Sequence, residues 1–225
     1  MRRRVAERME QFFNVRAAGY DDHMRAHVER FEAFYAAVAE AVPRSKQEID
    51  LLDLGIGTGL ELPAILRRLP NARITGIDVS CEMLRQLHGK YPKRELRLIE
   101  GSFTQIDLGR SEADVVVSTM ALHHWLPEAK ASIYRRIAEV LRPGGCFVNG
   151  DYIERFEESN RRIEAYLSRS DLGRELHHFD LPLTVEDEIQ LLQNAGLGRI
   201  RIPYRTSRAA VFVSHRPSSR VSSIG

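Results

Sequence analysis

Asp53-Leu54-Gly55-Ile56-Gly57-Thr58-Gly59 is the stretch on which the reading of this chain turns. It completes a short apolar run that begins at Ile49 and has the length and composition of a buried strand. Glycines at alternate positions then let the backbone turn sharply and approach a ligand closely. A helix predicted over Leu60–Leu69, with Pro63 tolerated in its first turn, points free N–H groups at a negative group such as a carboxylate. Strand, loop and helix together open an α/β sheet of the kind that binds ligands outside the carboxyl ends of its strands.

The alternation continues on the carboxyl side. Strands are predicted at Ile74–Asp78, Leu96–Glu100, Ala113–Ser118 and Gly145–Asp151, with helices at Glu82–His88 and Lys130–Leu141, the second ended by Arg142-Pro143-Gly144-Gly145. This order implies parallel strands with crossover helices on both faces. Residues Val5 to about Val42 read as helical with a break at Ala18-Gly19-Tyr20-Asp21-Asp22, followed by an apolar stripe of Val28, Phe31, Phe34, Tyr35 and Val38. Residues 152–184 are polar and read as a helical lid over the carboxyl edge of the sheet, with Ile163, Tyr166 and Leu167 as its apolar contacts. A helix from Val185 to Ala195 with Gly196 as its C-cap precedes two strands, Arg199–Tyr204 and Ala209–Ser214, expected to pair as an antiparallel hairpin. One domain over residues 1–215 is expected, including N-terminal helices within 1–45, and residues 216–225 read as a disordered tail.

The bulk numbers set outer bounds. The chain has 225 residues, 43% hydrophobic and 28% charged, with a formal charge of +2, so no overall field calls for a polyanionic partner. Arg2-Arg3-Arg4 reads as a solvated terminus, and no basic stripe interleaved with aromatics suggests nucleic acid. No apolar run approaches the roughly 18 residues that cross a membrane, and no apolar segment of a secretory signal follows the first arginines. Cys81 and Cys146 read as reduced thiols, and a cytoplasmic location is expected.

The loop's spacing narrows the ligand. A dinucleotide fingerprint has G-x-G-x-x-G, whereas this loop has G-x-G-x-G behind the acidic Asp53. Asp78 ends the second strand, where an ionised carboxylate can accept hydrogen bonds from both hydroxyls of a ribose. Together with Gly76-Ile77-Asp78-Val79-Ser80, Met83-Leu84, Asp114-Val115-Val116-Val117-Ser118 through Leu122-His123-His124, and Leu141-Arg142-Pro143-Gly144-Gly145, the loop resembles the successive motifs of class I S-adenosylmethionine-dependent methyltransferases, in their small-molecule branch. The resemblance covers about Tyr20 to Tyr152. It implies a Rossmann-like, doubly wound, mostly parallel seven-stranded sheet whose last strand is antiparallel. It also implies S-adenosyl-L-methionine as cofactor, held by the loop from Asp53 through Gly55, Gly57 and Gly59. Gly55 and Gly57 would lie against the methionine part, Asp78 with its neighbour Val79 would hold the ribose, and Thr119 would flank the amino group. Tyr20, an aromatic before an aspartate, would close over the cofactor. The chain departs from the family after the third strand, where Gly101-Ser102-Phe103 lacks the usual acid. There Ser102 can accept a hydrogen bond and Phe103 can pack on the adenine ring.

Methyl transfer from a sulfonium needs positioning and exclusion of water more than it needs a fixed set of catalytic groups. The candidates for direct chemistry are His123 and His124 after strand four and Asp151 after strand five. A structural role, capping a helix or lining the pocket wall, is the alternative for each. Trp125 and Leu126 can line an acceptor pocket. His23 and His27 share a helix face but have no carboxylate or thiol beside them in sequence, His177-His178 is isolated, and no metal is expected. The expected partner is a small-molecule acceptor methylated on O, N or C, with a homodimer possible. The alternatives are an RNA or protein methyltransferase, a catalytically inactive methyltransferase-like partner, and a nicotinamide-dependent oxidoreductase.

Overall fold

The computed structural model describes residues 7–170, 172 and 176–218. Three short helices lead in: α1 (Met9–Arg16), then a single 3-10 turn, α2 (Tyr20–His27) and α3 (Phe31–Ala41). The predicted break falls at that turn. A second break was not foreseen: Arg30 takes a left-handed conformation, φ 54°, and redirects the chain. The apolar stripe then meets the sheet, with Val28, Phe34, Tyr35 and Val38 buried.

The core alternates from there: β1 (Ile49–Leu54), α4 (Leu62–Arg68), β2 (Ala72–Asp78), α5 (Cys81–Lys90), β3 (Leu96–Glu100), β4 (Ala113–Thr119), α6 (Pro127–Val140) and β5 (Leu141–Tyr152). After α7 (Phe156–Leu167) come α8 (Val185–Asn194), β6 (Gly198–Arg205) and β7 (Ala209–His215). The strands form one seven-stranded sheet in the order β3-β2-β1-β4-β5-β7-β6. The first five are parallel, and β7 runs antiparallel to both β5 and β6. This is the implied Rossmann-like topology with its C-terminal hairpin. Apolar side chains fill both faces: Leu51 and Val117 meet the layer of α3 and α4, while Leu52, Leu54 and Val116 meet that of α6 and α8.

Local chemistry explains most boundaries. Ser80 caps α5 by accepting from Met83 N at 3.1 Å, and Thr184 caps α8 by accepting from Asp187 N at 3.0 Å. Gly196, with φ 82°, closes α8 as expected, and Leu197 N donates back to Leu192 O at 3.1 Å. Pro127 starts α6 three positions before the predicted Lys130, since proline suits a first helical turn. β5 likewise starts early because Leu141 pairs with Ala113 across an irregular register.

One reading is corrected. Of the polar stretch 152–184, only α7 is helical among the described residues, and Leu167 is exposed rather than a packing contact. The part beyond α7 is held by backbone bonds instead: Met9 N to Leu176 O at 2.8 Å, His178 N to Glu7 O at 2.9 Å and Leu181 N to His123 O at 2.7 Å. In addition, no helix lies between β3 and β4. Turns connect these strands, so Leu52, Ile77, Ile99 and Leu108 line an open groove on that face. Residues 219–225 of the expected tail, and Arg2-Arg3-Arg4, lie outside the described residues.

Candidate functional site

The carboxyl ends of β1, β2 and β4 converge on one narrow cavity. Gly55 and Gly57 form its floor, Asp78 and Val79 one wall, and Phe103 and Trp125 another, their rings 5.8 Å apart. Tyr20 and Phe13 cover it from the N-terminal helices, and Leu176 closes the rim.

All three loop glycines have positive φ. A Cβ on Gly55 would stand 2.4 Å from the Cβ of Ala121, so this position must be bare for the loop to pass the end of β4. A Cβ on Gly59 would stand 2.6 Å from Leu87, so this glycine serves helix packing and does not line the cavity. The loop is clasped from outside. Thr58 Oγ1 donates to Asp21 at 2.5 Å, and Lys90 Nζ reaches both Asp21, at 2.5 Å, and Thr58 O, at 3.0 Å.

Asp78 accepts Gly57 N on one carboxylate oxygen and Ser80 N on the other, both at 2.8 Å. A carboxylate has about four acceptor positions, so it can still receive two hydroxyls. Burial lifts its pKa to about 6 against those stabilising N–H bonds. Asp53 and Glu61 are buried beneath the loop, and both oxygens of Asp53 and Oε1 of Glu61 lack partners. Burial, then the charges of Glu61 and Asp78, push Asp53 well above the ordinary carboxyl range, and burial pushes Glu61 to about 7. Such orphaned acids suit a ligand that brings a cation. Burial and the nearby Asp78 hold the Tyr20 phenol neutral. Thr119 Oγ1 is buried without a partner. The Ser102 hydroxyl is engaged locally with Thr104 Oγ1 at 2.7 Å, so the Phe103 ring, rather than Ser102, faces the cavity.

The acceptor-side candidates come together. His123 and His124 sit on a 3-10 turn after β4, and His123 Nδ1 lies 2.5 Å from Asp151 Oδ1 at the end of β5. His124 lines the cavity and its Nδ1 lies 2.8 Å from Phe179 O. Burial alone would lower His123, but Asp151 and Asp180 outweigh it and raise it to about 9. Burial and the neighbouring His123 lower His124 to about 3. Two members were missed in the sequence. Asp180 Oδ1 lies 3.5 Å from His123 Nε2, and His178 is not isolated, because it stacks on Phe12 at 3.5 Å and its ring centroid lies 4.8 Å from that of His124. The concentration of chemistry in His177-His178-Phe179-Asp180 was the available signal. Nothing local, however, says that this segment crosses back over β4.

Comparison with known proteins agrees with this geometry. Residues 51–145 match the family model described as a methyltransferase domain. An uncharacterized methyltransferase of Oceanobacillus iheyensis is 31% identical over 161 residues, covering 69% of each chain. Among solved structures, a putative O-methyltransferase from Nostoc punctiforme superposes with a TM-score of 0.68 at 21% identity, over 92% of this chain and 61% of that one. Human N-acetylserotonin methyltransferase in complex with SAM superposes with a TM-score of 0.61 at 20% identity, over 87% of this chain and 55% of that one. Sequence relatives, sheet order and glycine loop converge: this chain belongs to the class I S-adenosylmethionine-dependent methyltransferases.

Proposed function

We propose that this enzyme methylates an O, N or C atom of a small-molecule acceptor that sits between the cofactor and the wall formed by His124 and Trp125. The observation that carries this reading is the single cavity. Gly55, Gly57 and Asp78 bound it on one side, His124 on the other, and α1 with Leu176 covers it. When bound, S-adenosylmethionine supplies an electrophilic methyl group. Asp78 would hold its ribose hydroxyls, and Asp53 and Glu61 would face its ammonium group. Phe103 and Val79 would pack on its apolar parts, and Tyr20 and Thr119 would complete its enclosure. Residues 7–16 and 176–184 serve as the lid that keeps water out. His124, whose buried ring stays neutral, faces the acceptor and takes its proton, while the His123–Asp151 pair beside it orients the groups there. The free thiols of Cys81 and Cys146 support a reducing compartment such as the cytoplasm.

The test is a panel of small phenols, alcohols, amines and activated-carbon compounds incubated with S-adenosylmethionine, with products read by mass spectrometry. One member gains a methyl group. His123→Ala and His124→Ala lower its turnover at least tenfold while calorimetric affinity for S-adenosylmethionine stays within twofold. Methylation of RNA or protein alone, with no small-molecule product, overturns the acceptor class.

A further inference from the structure

We propose that His123, His124 and Asp180 form a binding site for one divalent transition-metal ion, zinc or a near relative, at the acceptor end of the cavity. One ligand atom from each residue lies within 4.8 Å of the others. Asp180 Oδ1 is the hub. It stands 3.5 Å from His123 Nε2, 3.5 Å from His124 Nδ1 and 3.7 Å from His178 Nε2. These separations are long for hydrogen bonds. The two 3.5 Å separations match donors sharing an ion, because ligands ~2.0–2.2 Å from a tetrahedral centre stand roughly 3.3–3.6 Å from one another, and the two imidazole donors, within 4.8 Å of each other, need close in only slightly.

The surroundings point the same way. Asp151 Oδ1, 2.5 Å from His123 Nδ1, makes the carboxylate–imidazole pair that fixes a ligating ring and leaves Nε2 free to coordinate. The other Asp151 oxygen is buried with no partner, which fits an anion set behind a cationic centre. The side chains of His123 and His124 are 4% and 6% exposed, while Asp180 is 48% exposed, so the site is walled by imidazole and open on one side. Coordination by His124 Nδ1 replaces its bond to Phe179 O, and His178 stands by as a fourth donor. Imidazole and carboxylate donors without thiolate favour zinc, iron(II), cobalt(II) or nickel(II) over magnesium and calcium. An ion held by two imidazoles and one carboxylate keeps open positions for water or an oxygen of the acceptor. The site shares His123 and His124 with the proposed acceptor end, but its ligands need no cofactor in place.

The test uses the full chain, freed of metal by chelation. Zinc is titrated by calorimetry, and cobalt(II) is followed by its ligand-field absorption in the visible. One equivalent of zinc binds, and the cobalt spectrum shows intense tetrahedral-type bands that zinc abolishes. Asp180→Asn and His123→Ala each weaken zinc at least tenfold, while a His23→Ala/His27→Ala variant, which removes the exposed stacked pair, binds as the unaltered chain does. Absence of zinc heat and of cobalt bands in the unaltered chain overturns the site, as does undiminished binding in both ligand variants. If His123→Ala fails to fold, the half-exposed Asp180→Asn decides. S-adenosylmethionine is titrated into the same metal-free sample: binding there with no zinc site overturns only the metal, whereas failure to bind it removes the methyltransferase reading instead.

Discussion

At the scale of single residues, the cofactor end of the cavity is built from acids that resist ionisation. Asp78 must be charged to accept two hydroxyls, yet burial lifts its pKa to about 6. Affinity for S-adenosylmethionine is therefore flat above about pH 7 and falls as pH drops through 6, by up to about tenfold per unit. Calorimetry across pH checks this. Asp78→Ala weakens binding at least tenfold, about 1.4 kcal/mol, and flattens the pH dependence. Glu61 carries the complementary cost. Burial raises it to about 7 despite Lys90, and it faces Asp53 from β1 and Asp21 from α2. A carboxyl raised in the folded state contributes stability below its ordinary pKa of 4.5, and that contribution is lost as pH rises through 7. Glu61→Gln accordingly raises the Tm of the cofactor-free chain by a few °C at pH 8 and leaves it unchanged near pH 4.5, as scanning calorimetry will show. Stability given up here is the cost of a pocket that awaits a cation.

At the scale of elements, α2 acts on the glycine loop through Asp21 as well as covering the cavity with Tyr20. Asp21 binds both Thr58 of the glycine loop and Lys90 of α5, and so clamps the loop between two helices. Asp21→Ala releases the loop. S-adenosylmethionine affinity drops about tenfold and amide exchange at residues 55–59 speeds up, whereas exchange in β1 is unchanged. The core elements were legible because their signals are local: an apolar run ending in glycines, an acid closing the next strand, and a proline–glycine stop just past α6. The lid was not legible for the opposite reason. Residues 7–9 and 176–178 join through main-chain N–H and C=O groups, which every residue except proline presents alike, so side-chain pattern does not report the pairing. The polar composition of 152–184 suggested helix throughout, yet the stretch after α7 is ordered by what it crosses. Asp180 escaped notice with it, while His123 and Asp151 were found because one follows, and the other lies near the end of, a strand that was recognised.

At the scale of the whole molecule, the layer opposite the N-terminal helices is pinned by a buried charge pair. Lys130 on α6 and Glu188 on α8 bind each other with side chains 0% and 1% exposed, and Tyr134 also donates to Glu188 at 2.5 Å. Removing one partner of such a pair strands a charge in the interior. Lys130→Met destabilises the chain by about 3–5 kcal/mol, and the Lys130→Met/Glu188→Gln double variant recovers a large part of that loss, as urea unfolding will measure. Lys130 also favours the charge of Asp151. Burying the pair in the α6–α8 layer thus links the stability of that face to the acceptor end of the cavity.

The junction of residues 7–9 with 176–178 sets an order of events during synthesis. The glycine loop and Asp78 leave the ribosome early, and the strands that carry them can begin to assemble while the chain is still growing. The roof over them cannot close then, because residues 176–178, which pair with residues 7–9, are encoded far downstream. A nascent chain stalled before that point would hold the parts that bind the methyl donor without the enclosure that keeps water from it. Competence for transfer therefore arrives late and all at once, with the emergence of a few backbone amides.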